Sequence, residues 1–438
     1  MLVELNERAA QAVDRAVAAG ADDAWVVATQ SRDVEFNYRD GALEKVQDAA
    51  SRNLSVQIYA NGRYSSHLTT DLDADRLTGF LQQAVAITAA LEPDPHREIT
   101  PAELFENRPA TDLDLVDGSV SRLDREQRLA WCVALDDAAR RHERVISATA
   151  GIYDGRVTSA SASSNGFSGS SEATYCWLGT RVTLRDRGER RASDSFFAGG
   201  THVGDLPVAG SIAEQALDRA LVRLDADKGP TVRTIMLVDS RAASSLIERL
   251  LQSAYAQSVQ QGRSFWASLT GKKAFSDKLS LIDDPLIRRG LASRLFDNEG
   301  ISAAVLPIVE VGVVRNIYVD TYYGRKAGME PTTGSPSNIR VGAGKQSLDE
   351  LVGDVGEGIY VTSWLGGNAD GTTGDFSLGL RGHLIENGVI GRPVGEMNVT
   401  GNLRTLFSRL EATGNDVYPY ATILSPSLVF ADVDFSGA

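Results

Sequence analysis

Histidine and cysteine are both scarce in this chain, with five and two residues among 438. His67, His96, His142, His202 and His383 lie far apart in sequence. None therefore supplies the pair of histidines on successive helical turns that a catalytic zinc ion usually needs alongside a glutamate. His142-Glu143 begins such a motif, but Ile146 and Ser147 stand where the second histidine would return to the same face. That spacing favours a solvated helix end. Cys132 and Cys176 sit in no nucleophile context and suit a reducing compartment, as buried structural thiols rather than a disulfide. No run of 18 apolar residues is present, so no membrane span is expected. Met1 to Arg8 include Glu4 and Glu7 and lack the basic start and apolar core of a signal peptide. These features predict a cytoplasmic protein. Basic residues are outnumbered, 44 Lys and Arg against 58 Asp and Glu, for a net charge of −14. Such a surface does not attract a phosphate backbone, and nucleic acid is not an expected partner.

Nucleophile and phosphate-binding motifs are also missing. Gly374-Asp375-Phe376-Ser377 lacks the spacing of a nucleophile elbow. Gly342-Ala343-Gly344-Lys345 has no third glycine for a dinucleotide turn, and Gln346 stands where a P-loop needs Ser or Thr. Asp432-x-Asp434 resembles the start of a calcium loop, but Ala438 follows too soon. The acidic pairs Asp22-Asp23, Asp136-Asp137 and Asp283-Asp284 fall at predicted element ends and read as solvated caps. Fixed-period repeats and low-complexity tracts are absent.

What is present is an ordinary globular composition, 42% hydrophobic and 23% charged, at a length that suggests two or three domains. Ala9, Val13, Ala16 and Val17 line one face of an opening helix that stops at Gly20. Strand alternation follows over Ala24 to Ala28, over Val34, Phe36 and Tyr38, and over Leu54, Val56 and Ile58. Asp40-Gly41 and Asn61-Gly62 mark hairpin turns, and a helix is expected after Asp71. Prolines 93, 95, 101 and 109 indicate a linker or extended wrap. Ser121 and Asp124 resemble a capping box for a helix reaching about Arg141. Strands then run from Val145 to Gly199, with turns at Asp154-Gly155 and Asn165-Gly166, before a helix near Gly210 to Leu224. Beyond Gly229-Pro230 the pattern predicts a strand at Thr234 to Val238 and a helix at Arg241 to Gln257. Strands follow at Ala303 to Glu310, Val313 to Val319 and Phe376 to Ile385, with a turn at Asn387-Gly388. Ser347 and Glu350 form a second capping box. The reading is α+β: an N-terminal sheet-and-helix domain (1–105), a strand-rich central domain with helices (115–226), and a C-terminal domain dominated by antiparallel β-structure (231–438).

The C-terminal third is rich in glycine beside polar and aromatic residues, as in Asp320 to Gly328, Gly374 to Ser377, Gly401-Asn402-Leu403 and Gly414-Asn415-Asp416. Glycine lets another backbone approach, while Tyr, Arg and Asn offer side contacts. Tyr322, Tyr323, Arg325, Asp375, Phe376, Ser377, Asn402 and Asn415 are therefore candidate substrate-binding residues. The same segments serve equally as turns of a strand-rich domain.

At these segments the sequence resembles the TldD/PmbA family, in its PmbA (TldE) branch. The resemblance covers nearly the whole chain. It rests on Asp40-Gly41-x-Leu43-Glu44, Tyr59-x-Asn61-Gly62-Arg63 and Thr69 to Leu72. It continues through Gly290 to Ser293, Phe296-Asp297-x-Glu299-Gly300, Tyr322 to Gly328, Thr373 to Ser377, Ile385 to Gly388, Gly401 to Leu403 and Gly414 to Asp416. Each fragment alone is weak; their order and spacing together are specific. The resemblance implies a cytoplasmic heterodimeric peptidase that trims unstructured peptides, including leader peptides and antitoxins. The TldD-like partner would carry a metal, zinc by expectation, on a His-Glu-x-x-x-His helix with a further ligand near its C-terminus. The corresponding helix here, Ser244 to Gln252, has no histidine, and Tyr418 to Phe435 contains neither cysteine nor histidine. No catalytic residue and no cofactor are therefore expected on this chain. Val417-Tyr418-Pro419-Tyr420 matches no family pattern. A metal-independent hydrolase and a homodimeric peptide-binding protein remain the alternatives.

Overall fold

In the computed structural model, which describes residues 2–437, the first half of the chain turns its two-residue alternation into long strands. α1 (Leu2–Ala18) leads to β1 (Asp23–Arg39), β2 (Ala42–Ala60), β3 (Arg63–Thr69) and α2 (Ala74–Ala89). Then come α3 (Arg125–Ala139), β4 (Val145–Ser163), β5 (Ser168–Arg185), β6 (Arg191–Gly200) and α4 (Ala209–Leu221). The predicted hairpin turns form: Asp40 and Gly41 have φ of 50° and 84°, Asn61 and Gly62 of 54° and 69°. Those are the left-handed pairs that a two-residue turn of matching twist requires. The helix after Asp71 is capped by Asp73, whose carboxylate accepts from the amides of Asp75 and Arg76. For α3, Asp124 is itself the N-cap, accepting from the Gln127 amide at 2.8 Å, and Ser121 lies in a short 3-10 turn instead.

The six strands make one antiparallel sheet, ordered β3-β2-β1-β4-β5-β6. β1 and β4 pair from Trp25 opposite Ser163 to Arg39 opposite Thr149, so the sheet runs continuously through the N-terminal and central segments. The odd-numbered Trp25 packs on Phe167, but on the helix-covered face the sheet's buried core residues are even-numbered. They include Val26, Val34 and Phe36 on β1, Leu54, Val56 and Ile58 on β2, Ala150 and Ile152 on β4, and Leu178, Val182 and Leu184 on β5. All four helices pack on that face, α1 and α2 over one end and α3 and α4 over the other. A one-residue slip would turn the whole set outward, which pins the register. Between the helix pairs lies a polar seam with a cavity of about 240 Å3, where Arg128 and Asp154 pair. The odd-numbered face presents Ser51, Tyr153, Val157, Ser171, Arg181 and Arg185 as exposed side chains.

Asp154-Gly155, expected as a turn, lies in the middle of β4. Glycine is needed there because a β-carbon would meet the Arg32 carbonyl oxygen on the adjacent strand and lie 2.6 Å from the Tyr175 hydroxyl. Gly155→Ala is expected to cost about 1–3 kcal/mol, the usual penalty of overpacking, read from chemical denaturation. An unchanged midpoint would mean that the two strands part without cost.

The C-terminal half contains β7 (Asp227–Lys228), β8 (Val232–Val238), α5 (Ser240–Leu251), α6 (Ala256–Gln260), β9 (Leu281–Asp283), β10 (Leu306–Glu310) and β11 (Val313–Val314). It continues with α7 (Thr321–Ala327), β12 (Ile339–Val341), α8 (Leu348–Val355), β13 (Gly358–Ala369), β14 (Asp375–Glu386) and β15 (Val389–Asn402). α9 (Leu403–Ser408), β16 (Leu410–Thr413), β17 (Ile423–Leu424) and β18 (Leu428–Ser436) complete it. One sheet runs β16-β18-β8-β13-β14-β15-β7, the other β11-β10-β9-β12-β17. Most pairs are antiparallel, and β8–β13, β7–β15 and β12–β17 are parallel. A core around Trp266, Tyr318, Phe407 and Phe430 joins these elements. The Ser347 capping box forms at α8. The helix expected to reach Gln257 ends at Leu251, because Ala254 and Ala256 exchange backbone hydrogen bonds with Tyr318. That use of Tyr318 also shortens the strand expected over Val313 to Val319.

Two of the acidic pairs are not solvated caps. Asp136 and Asp283 are buried, at 4% and 2% exposure. Asp283 accepts from the Ser337 amide at 3.0 Å and from its hydroxyl, yet burial still raises its pKa. Both cysteines are free and buried, and desolvation pushes each thiol up to about 12. Among the described residues no helix is long and apolar enough to cross a membrane.

Candidate functional site

α5 begins where β8 ends. Asp239 accepts from the Arg241 amide at 3.0 Å and from the Tyr360 hydroxyl at 2.7 Å, which fixes the first turn. Ala243, Leu246, Ile247 and Leu250 bury one face, leaving Ser244, Ser245, Glu248 and Arg249 on the others. Ser244 donates to the Ile423 carbonyl at 2.9 Å. Arg241 donates to the Ser195 carbonyl at 3.1 Å and lies over the rings of Phe196 and Tyr418, at 5.4 and 5.8 Å. Tyr418 donates to the Phe197 carbonyl at 2.9 Å and Arg223 to that of Ser193 at 3.0 Å. Three side chains thus satisfy the carbonyls of residues 193, 195 and 197 along the outer edge of β6 and close it against strand addition. The Val417–Tyr420 segment contributes to this closure.

Zinc is held by imidazole, thiolate or carboxylate groups in a tetrahedral set. Ser244, Ser245, Glu248 and Arg249 do not make one. Among the described residues no group of three or more His, Cys, Asp or Glu side chains is placed to hold a metal ion. The residues at this position therefore do not fit the metal expected of a TldD-like chain.

The candidate substrate-binding residues fall in three places. Tyr322 and Arg325, on α7, grip the proline-containing wrap. Tyr322 donates to Asp94 at 2.6 Å, with Arg97 stacked 3.4 Å from its ring centroid. Arg325 donates to the carbonyls of Glu98 and Ile99, both at 2.8 Å. Tyr323 accepts from the Gln261 side chain at 3.2 Å. At the β14–β15 end, the Asn402 amide donates to Asp375 at 2.9 Å and to the Thr373 carbonyl at 2.8 Å. The Asn402 bond, with a second from the Thr373 hydroxyl at 2.9 Å, holds the Asp375 carboxyl below the usual range. Phe376 is in the core and Ser377 is exposed beside it. Asn415 donates to the Lys345 carbonyl at 3.0 Å, in a separate turn. The structure brings Asp375 and Asn402 together, and Tyr322 beside Tyr323 with ring centroids 4.8 Å apart.

The Phe296 to Gly300 motif is structural as well. Asp297 accepts from the amides of Glu299 and Ile301 and from the Thr333 hydroxyl. Phe296 packs on Phe167 with ring centroids 5.2 Å apart. Beside this motif opens a cleft of about 760 Å3 between the odd face of the first sheet and the C-terminal loops. Ser55, Gln57, Ser159, Ser161, Phe296 and Asn298 line it. Sequence reasoning missed these sheet residues; their signal was hydroxyls at alternate strand positions.

His383 is buried on β14, its Nδ1 facing the Gly391 carbonyl at 3.4 Å. Desolvation lowers its pKa, the Gly391 contact partly opposes that, and nearby Arg223 and Arg219 add to the lowering. The folded state therefore favours the neutral ring. This contribution is present above the unfolded value of about 6.5 and is lost as pH falls through the folded one. Between about pH 7.5 and 5.5, one unit either side of that value, the wild type is expected to lose stability relative to His383→Gln. Parallel pH curves would refute this.

Two family descriptions match the chain: "PmbA/TldA metallopeptidase central domain" over residues 118–224 and "PmbA/TldA metallopeptidase C-terminal domain" over residues 231–437. Metalloprotease PmbA of Escherichia coli O157:H7 is 26% identical over 419 residues, spanning 95% of this chain and 92% of that protein. A Metalloprotease PmbA homolog of Haemophilus influenzae is 25% identical over 99% of this chain and 96% of its own length. Among solved structures, one described as a modulator of DNA gyrase from Bacteroides thetaiotaomicron is 35% identical, with TM-score 0.96, covering 99% of this chain and 98% of that one. TldE of Thermococcus kodakarensis shares the fold at TM-score 0.87 and 16% identity, over 98% of this chain and 100% of that one. The chain belongs to the PmbA/TldD family.

Proposed function

We propose that this chain is the TldE-type subunit of a cytoplasmic heterodimeric peptidase. Its TldD-like partner carries the metal, zinc by expectation, and performs hydrolysis. The pair trims unstructured peptides such as leader peptides and antitoxins, and this chain shapes the chamber in which they are cut. The observation that carries the reading is α5: taken as the counterpart of a TldD-like metal-binding helix, it has Ser244, Glu248 and Arg249 exposed or half-buried and no imidazole. The odd face of the first sheet supports it, because a wide polar surface beside a cleft of about 760 Å3 suits a chamber wall. Within the proposal, Tyr323, Asp375, Ser377, Asn402 and Asn415 are the residues that meet peptide, while Tyr322, Arg325 and Phe376 hold the framework.

The test is reconstitution. Chelator-sensitive hydrolysis of an unstructured peptide is expected from this chain mixed with a TldD-like partner and not from either purified without the other. Metal-dependent hydrolysis by the isolated chain would overturn the proposal.

A further inference from the structure

Although the chain as a whole is acidic, at −14, one end of the odd sheet face is strongly basic. A cleft of about 730 Å3 there is lined by Arg39, Arg181, Arg185, Arg190 and Arg191, against only Asp40 and Glu189. Arg39 and Arg190 are answered by acids: Arg39 lies 3.7 Å from Asp40 and Arg190 lies 3.7 Å from Asp227. Among the described residues, Arg181, Arg185 and Arg191 have no ion-pair partner. Arg185 sits directly opposite Arg191 across the β5–β6 ladder. Like charges at such a position destabilise a sheet, so the arrangement costs the free chain something and is relieved by an anion.

We propose that this cleft binds a short acidic segment of an extended polypeptide, carboxylates pairing with Arg181, Arg185 and Arg191. Arg181 and Arg185 are four residues apart on one strand face, about 13 Å at the usual rise per residue. An extended peptide presents carboxylates four residues apart at the same spacing, and the guanidinium fork matches each bidentately. A long polyphosphate would fit worse, because beyond the cleft it would lie on an acidic surface. The inference rests on the peptide-handling reading above for the ligand being a polypeptide. It is read by binding rather than hydrolysis, so either can fail without the other.

The experiment uses the full chain and a fluorescent peptide of about 12 residues alternating Glu with Thr, the length that spans two such carboxylate pairs. Its Gln-for-Glu counterpart and a thymidine oligonucleotide of equal charge are compared by anisotropy at low and high salt. The Glu peptide is expected to bind at least about tenfold more tightly than the Gln peptide, and to weaken as salt screens the contact. Substituting Arg181→Gln, Arg185→Gln and Arg191→Gln together is expected to lose at least about tenfold in affinity, as charge-assisted bonds are removed. The melting temperature should stay equal or rise, because the cross-strand repulsion is gone. Equal binding of the two peptides, or unchanged affinity in the substituted chain, overturns the proposal. Tighter binding of the oligonucleotide, lost on the same substitutions, assigns the cleft to polyphosphate and overturns it too.

Discussion

Arg128→Ala is expected to destabilise the chain by about 3–5 kcal/mol, the penalty of leaving one member of a buried ion pair alone. Arg128 donates to both carboxylate oxygens of Asp154, each at 2.6 Å, and to the Leu123 carbonyl at 2.8 Å. The two side chains are 6% and 2% exposed. Removing the guanidinium strands a carboxylate in the middle of β4, on the helix-covered face, with water nearly excluded. Replacing both members, as in Arg128→Met with Asp154→Leu, removes the charge along with its partner and should cost far less. Urea denaturation of the single and double variants separates these outcomes. If both lose the same amount, the pair acts by shape alone and its charge is irrelevant.

Loss of Arg325 is the second large effect. Its guanidinium supplies two well-formed bonds to the carbonyls of Glu98 and Ile99, and bonds with a charged donor contribute about 1.5–3 kcal/mol each. Because the side chain is 21% exposed, Arg325→Ala is expected to cost about 2–4 kcal/mol in total. The stretch around residues 94–99 should also become the first site of limited proteolysis, since α7 fastens that part of the wrap. Tyr322→Phe, which removes the bond to Asp94, should loosen the same segment by about 1 kcal/mol. A wrap that remains protease-resistant in Arg325→Ala would mean that Arg97 stacking, the Asp94 to Gly62 backbone bond and the Asn165 bond to the Thr100 carbonyl suffice to hold it.

Local features of the fold were legible where the physics is local. Asp40-Gly41, Asn61-Gly62 and Asn387-Gly388 were read as turns because few residues tolerate the positive φ these positions adopt. Ser347 and Glu350 were read as a capping box because both partners lie within one helical turn. The misreadings share a different origin. Asp154-Gly155 has turn composition, but its partners, Arg128 and the Arg32 carbonyl, come from other elements. Asp283 looked like a solvated cap until Ser337 covered it. Arg325 and Tyr322 bond to residues 94–99, partners more than two hundred residues away that no local pattern announces.

By itself, the sequence determined the α+β class, the hairpin turns at Asp40-Gly41, Asn61-Gly62 and Asn387-Gly388, the Ser347 capping box, the family, and the lack of histidine in the helix Ser244 to Gln252. Each follows from residue identity at short spacing. Only the tertiary structure decided that β1 lies beside β4, that the first sheet is continuous through the N-terminal and central segments, and that all its helices share one face. It alone brought five arginines into one cleft of an acidic protein. Pairings across more than a hundred residues leave no local mark, because alternation tells which face a residue takes and not which strand stands next to it.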